Sequence, residues 1–131
     1  MNQKRQPLTR IVADHLDMTT IDDFLAIIPG KPDILIRIIE TFLRTSPHFL
    51  GEIGAAIKAD DPVALQKAAH TMKSSNAQLG ALQLAAMCHE LELMGKMGSI
   101  IDGAGLMAKM EEECRSVEMA LTDILGQLRT Y

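Results

Sequence analysis

Toward the end of this chain the apolar residues fall three and four apart: Met107, Met110, Cys114, Val117, Leu121, Ile124 and Leu128. That spacing draws one continuous stripe along one side of an α-helix, and such a stripe has to be covered by other elements. No segment alternates apolar and polar residues with the period of two that a strand requires, so the covering elements are helices. Aromatics make up only 3% of the chain and Trp is absent, which leaves Met, Ile, Leu and Ala to fill the interior, a palette that favours helix over sheet. With 131 residues, 47% of them hydrophobic, one domain with one core is expected. The expected fold is all-α: an antiparallel four-helix bundle with a short additional N-terminal helix.

Residues 1–18 are read as a flexible N-terminal arm and residues 19–131 as the bundle. Residues 11–17 have only weak apolar character, enough for a turn of helix. Thr19 or Thr20 can cap the short helix, with Asp22 and Asp23 in its first turn, Phe24, Leu25 and Ile28 on its buried side, and Pro29-Gly30 as its stop. Pro32 suits the first turn of the next helix. There Leu35, Ile38, Ile39, Phe42, Phe49, Ile53 and Ile57 keep helical spacing, and Pro47 inside the run predicts a kink rather than an end. Asp60-Asp61-Pro62 stops that helix and starts another, with Asp61 as cap and Pro62 as first residue. Gly80 suits a left-handed break after Leu79. The following helix turns Leu84, Ala85, Cys88, Leu91 and Gly95 inward, and residues 95–105 form a glycine-rich connector to the last helix.

Several functions are disfavoured at this stage. A net charge of -4 and the scarcity of aromatics argue against nucleic-acid binding. Cys88 and Cys114 occupy apolar-periodic positions, as buried reduced thiols would. No apolar run approaches the roughly 18 residues of a membrane span, and the basic start of the chain is not followed by a signal core, so a cytoplasmic protein without a membrane partner is expected. A metal site in a helical bundle wants several inward His and carboxylate ligands, typically as Glu-x-x-His pairs, and none occurs; no metal is expected. Gly103-Ala104-Gly105 is half of a dinucleotide fingerprint and lacks the preceding strand, and no phosphate-loop spacing is present, so the chain is not expected to carry an ATP site or act as an enzyme in its own right.

His70 is the candidate for chemistry. At about 100° per residue, Leu65, Ala68, Ala69, Met72, Asn76 and Leu79 fall in a sector centred about 200° from it, while Gln66, Lys67, Lys73, Ser74 and Ala77 lie within about 60°. An imidazole therefore stands on the wet face of an amphipathic helix, one turn from Lys73. A lone surface His usually does nothing, and Lys73 taken alone reads as a solvated charge. Ser74 and Ala77, taken alone, are small surface residues. His15, His48 and His89 stand in no motif, and His48 is expected to be exposed.

The stretch Ala69-His70-Thr71-Met72-Lys73-Ser74-Ser75-Asn76-Ala77-Gln78-Leu79-Gly80-Ala81, followed by Leu84, Cys88, Leu91 and Glu92, resembles the signature of the histidine-phosphotransfer (HPt) domain family. Phe42-Leu43-Arg44-Thr45-Ser46-Pro47 and the Asp60-Asp61-Pro62 turn are also similar to the family, and the resemblance covers residues 21–128. It departs at Ser74, where most members have Gly, and mildly at Met72, usually Leu. The resemblance implies a phosphocarrier that relays a phosphoryl group between aspartates of receiver domains through His70, with Lys73 offering its ammonium to the phosphoryl oxygens. An imidazole with an ordinary pKa of about 6.5 is mostly neutral at cytosolic pH and is a competent nucleophile. The implied partners are response-regulator receiver domains and a hybrid histidine kinase, the receiver supplying the acyl phosphate and Mg2+; no cofactor of the chain's own is implied. Small side chains at Ser74 and Ala77 would let the partner's loops approach. Gln66 and Lys67 would belong to the docking rim, and Glu92 and Lys96 would flank the site. The chain is expected to act as a monomer, and Met1 with the short arm points to a free-standing protein. Two rivals belong to other classes: a helical module that docks a receiver or kinase without accepting phosphate, against which the His70 and Lys73 pair argues, and a metal- or haem-binding bundle, which fails on ligand count.

Overall fold

A computed structural model describes residues 15–27 and 32–130, the side chains of 24–27 excepted. Among the described residues five helices follow one another: α1 Met18–Ile27, α2 Asp33–Lys58, α3 Pro62–Gln78, α4 Leu82–Met97 and α5 Gly103–Leu128. Among the described residues there is no strand. The connections after α2, α3 and α4 are too short for anything but reversal, so these helices run antiparallel to their neighbours. α2 packs on α3 and α5, and α4 packs on the same two, which closes a four-helix ring. No helix is long and apolar enough to cross a membrane among the described residues.

The stripe on α5 lines the middle of that ring. Met110, Cys114, Val117, Leu121, Ile124 and Leu128 are buried, and Met107 is half-buried against the core. Leu35, Ile39, Phe42 and Ile53 come in from α2, Leu65, Ala69 and Met72 from α3, and Leu84, Cys88 and Leu91 from α4. Ile38, Phe49 and Ile57, which share the α2 periodicity, lie at its margin. α2 runs unbroken through Pro47, whose ring is exposed. Both cysteines are free and buried. The Cys88 thiol is pushed up to about 12, chiefly by burial, and it accepts a hydrogen bond from the Asn76 amide at 3.4 Å. Cys114 is likewise raised by burial and lies 3.4 Å from the Ser46 hydroxyl.

The local signals act where the sequence places them at both ends of α3. The Asp61 carboxylate accepts from the Ala64 amide at 3.1 Å, and Pro62 fills the first helical position. At the other end Gly80 takes φ 77°, while the Ala81 amide returns to the Asn76 carbonyl at 2.9 Å. A side chain at Gly80 would be strained by that φ and would also lie 2.9 Å from the Asp17 carbonyl oxygen.

Two expectations are corrected near the N-terminus. α1 begins at Met18, and its cap is Asp17, whose carboxylate accepts from the Thr19 amide at 3.1 Å; Thr19 and Thr20 lie inside the helix. The carboxylate satisfies a free amide of the first turn, and the Asp17 amide itself donates to the Gly80 carbonyl at 2.7 Å. Residues 15–18 accordingly belong with the packed body rather than with the arm: Leu16 is buried, and His15 Nδ1 lies 3.0 Å from Glu113 Oε2 on α5. The rest of the proposed arm, the side chains of Phe24 and Leu25, Ile28 and the Pro29-Gly30 stop lie outside the described residues.

Candidate functional site

α3 turns Leu65, Ala68, Ala69, Met72 and Asn76 into the core, which leaves His70 on the outer face with 60% of its side chain exposed. What holds the ring comes from α4. His70 Nδ1 lies 2.8 Å from Glu92 Oε2, and the Lys73 ammonium donates to Glu92 Oε1 at 2.6 Å. Lys96, one turn further along α4, places its Nζ 3.7 Å from the same carboxylate. The Glu92 side chain is only 5% exposed, so one buried carboxylate is ringed by an imidazole and two ammonium groups.

Gly95 makes this proximity possible. A Cβ there would lie 2.6 Å from the Pro62 carbonyl oxygen and 2.8 Å from the Gln66 amide nitrogen, both backbone atoms of α3. The two helices therefore approach closely at Gly95, one turn from Glu92, and the glutamate reaches His70 with its short side chain.

The charges on this cluster fix its protons. The Lys73 ammonium, bonded to Glu92, and His70, also bonded to it, outweigh the opposing effect of burial and hold the Glu92 carboxyl down at about 2. Glu92 is then an acceptor only, so the proton between it and His70 belongs to Nδ1. In the neutral imidazole the remaining lone pair sits on Nε2, the nitrogen that is not engaged by Glu92.

Of the other residues expected around the site, Lys67, Ser74, Ala77 and Lys96 are exposed and Gln66 is half-buried. Ser74 donates at 3.4 Å to the His70 carbonyl, so its hydroxyl stays close to its own helix. Glu92, expected to flank the site, is buried, and its carboxylate faces His70 and Lys73 instead of solvent. Its place in the sequence motif was visible, but its contacts depend on an interhelix approach that local spacing does not encode. His89 went unassigned; its Nδ1 lies 3.5 Å from Lys73 Nζ. His48 is exposed and 3.7 Å from Glu52. Among the described residues no group of three or more His, Cys, Asp or Glu side chains is placed to hold a metal ion.

The family model described as "Hpt domain" matches residues 37–131. Among solved structures the chain is similar to histidine-containing phosphotransfer protein B (HptB) from Pseudomonas aeruginosa PAO1, with 26% identity and a TM-score of 0.79 over 86% of this chain and 96% of that one. No curated protein sequence matches. A family match over most of the chain, on an all-helical fold that superposes along nearly the whole of a phosphotransfer protein, leads to one conclusion: the chain belongs to the Hpt domain family, the phosphotransfer modules of two-component phosphorelays.

Proposed function

We propose that His70 accepts a phosphoryl group from the aspartyl phosphate of one receiver domain and passes it to the aspartate of another. The observation that carries this reading is an exposed imidazole whose Nδ1 is engaged by a buried, ionised carboxylate. That arrangement leaves Nε2 as the nucleophile. Its lone pair attacks phosphorus in line, the N–P bond forms, the P–O bond to the acyl group breaks, and the receiver's aspartate leaves as a carboxylate. The ring then carries phosphorus on Nε2 and hydrogen on Nδ1 and is cationic; Glu92, 2.8 Å away, balances that charge. Transfer onward reverses the same steps. Lys73 stands one helical turn from His70 and is the cation for the phosphoryl oxygens.

Gln66, Lys67, Ser74, Ala77 and Lys96 form the rim on which receivers and a hybrid kinase dock. Small side chains at Ser74 and Ala77 keep the approach to His70 open. The chain supplies neither ATP site nor metal in this scheme: the acyl phosphate and its Mg2+ belong to the receiver, and the protein acts as a cytoplasmic, monomeric carrier. Incubation with a phosphorylated receiver tests the reading. Label is expected on the parent and absent from His70→Gln, with unchanged circular dichroism. Label that persists in His70→Gln, or a complex that forms without label transfer, would reject it.

A further inference from the structure

Lys73 has a neighbour besides Glu92. His89, on α4 one turn before Glu92, is exposed, and its Nδ1 lies 3.5 Å from Lys73 Nζ. An ammonium has hydrogens to give and no lone pair, so this contact is attractive only when His89 Nδ1 is unprotonated and its ring hydrogen sits on Nε2. The ammonium then lies between two acceptors, Glu92 Oε1 at 2.6 Å and His89 Nδ1 at 3.5 Å. We propose that His89 is a positioning residue for transfer through His70, acting on Lys73: neutral His89 gives the ammonium a second acceptor that fixes its place beside the reacting imidazole, and protonated His89 withdraws that acceptor and repels the ammonium.

The inference rests on the proposed role of His70 and Lys73. Protonation of His89 puts a second cation against Lys73, and the ammonium keeps Glu92 as its one acceptor of the two. The charged group in contact with His89 is the Lys73 ammonium. Lys73 comes from α3, and on α4 Glu92 acts through the shared ammonium. On α5 the titratable group acting on the adjoining Cys88 is Cys114, a buried thiol that is uncharged because burial raises it.

Three proteins separate the possibilities: the parent, His89→Gln, which offers a neutral acceptor at every pH, and His89→Phe, which offers none. The full chain is phosphorylated with phosphoramidate, a small donor that needs no receiver, and the rate is followed by phosphorus NMR between about pH 8 and pH 5.5, the range across which imidazoles titrate. The parent rate is expected to fall toward the lower end more steeply than that of His89→Gln. His89→Gln is expected to match the parent at the upper end. His89→Phe is expected to be slower by about fivefold at the upper end, because the cation is no longer held in register. In nitrogen NMR of the unphosphorylated parent at the upper end, His89 is expected to carry its hydrogen on Nε2. Identical profiles for all three proteins, or a hydrogen on Nδ1 of His89, would overturn the inference while leaving the role of His70 intact. Failure of the parent to be phosphorylated at His70 would instead overturn the reading beneath it, and the inference with it.

Discussion

Replacing Gly95 by Ala should open the site from behind. The added Cβ would sit 2.6 Å from the Pro62 carbonyl oxygen and 2.8 Å from the Gln66 amide nitrogen, where ordinary contact begins at 3.4 Å. Neither atom belongs to a side chain that can swing aside, so α4 has to back away from α3 by about 0.8 Å locally for the overlap to be relieved. Glu92 lies one turn away on the same helix and would be carried along. The bond to His70, now 2.8 Å, would stretch to about 3.6 Å if both helices stayed rigid, beyond the range in which it holds a tautomer. Alanine gains about 1 kcal/mol over glycine in helix propensity. Overpacking against backbone costs about 1–3 kcal/mol, so a net loss of about 1–2 kcal/mol is expected once the weakened His70–Glu92 contact is included. Urea melts give the stability, and nitrogen NMR of the imidazole gives the tautomer; both the lower midpoint and a mixed His70 tautomer are expected. A variant that is more stable than the parent by the full propensity difference, with His70 still protonated on Nδ1, would refute the claim that close approach at Gly95 sets the site.

Glu92→Gln isolates a stability term that depends on pH. The Glu92 carboxyl is depressed from 4.5 to about 2, first by the Lys73 hydrogen bond and then by His70, so its contribution is present above the unfolded value and is lost as pH falls from 4.5 through about 2. The stability gap between parent and variant, read by denaturant melts, is expected to be flat above pH 5 and to shrink below it; a gap that widens in acid would contradict the assignment. Leu121 is fully buried on α5, and Leu121→Ala is expected to cost about 2–5 kcal/mol, which an unchanged melt would disprove. Lys73→Ala should slow transfer from a phosphorylated receiver at fixed magnesium and salt more than it lowers the melting midpoint, with partial rescue by Lys73→Arg, since a guanidinium spreads the charge over a wider plane. Transfer at the parent rate in Lys73→Ala would reduce that residue to a solvated charge.

Periodicity made the bundle legible. The α5 stripe, the Asp61-Pro62 start and the Gly80 break act within one or two turns of chain, and each is where its residues place it. The exposed face of α3 followed from the same geometry, but it was the resemblance of that stretch to the Hpt signature that gave His70 and Lys73 a role. Contacts between distant segments were not legible. Glu92 meets His70 across 22 residues, and His15 meets Glu113 across 98. Each pair depends on how closely two elements pack, which a local pattern does not carry. The most a sequence offered for Glu92 was a motif position, and the residue that brings it inward, Gly95, read only as a small inward position before a connector. The α1 cap was missed because Asp17, Thr19 and Thr20 are all good caps, and the choice among them is settled by the docking of Asp17 on the Gly80 turn.

The central claim is that Glu92 holds His70 by Nδ1 and leaves Nε2 to take the phosphoryl group. Its most direct test is nitrogen and phosphorus NMR of the protein after phosphorylation by a receiver, which reports the ring nitrogen that bears phosphorus. A single phosphohistidine is expected, at residue 70, with phosphorus on Nε2 and the Nδ1 hydrogen still bonded to Glu92. Phosphorus on Nδ1, or on any residue other than His70, would contradict the account.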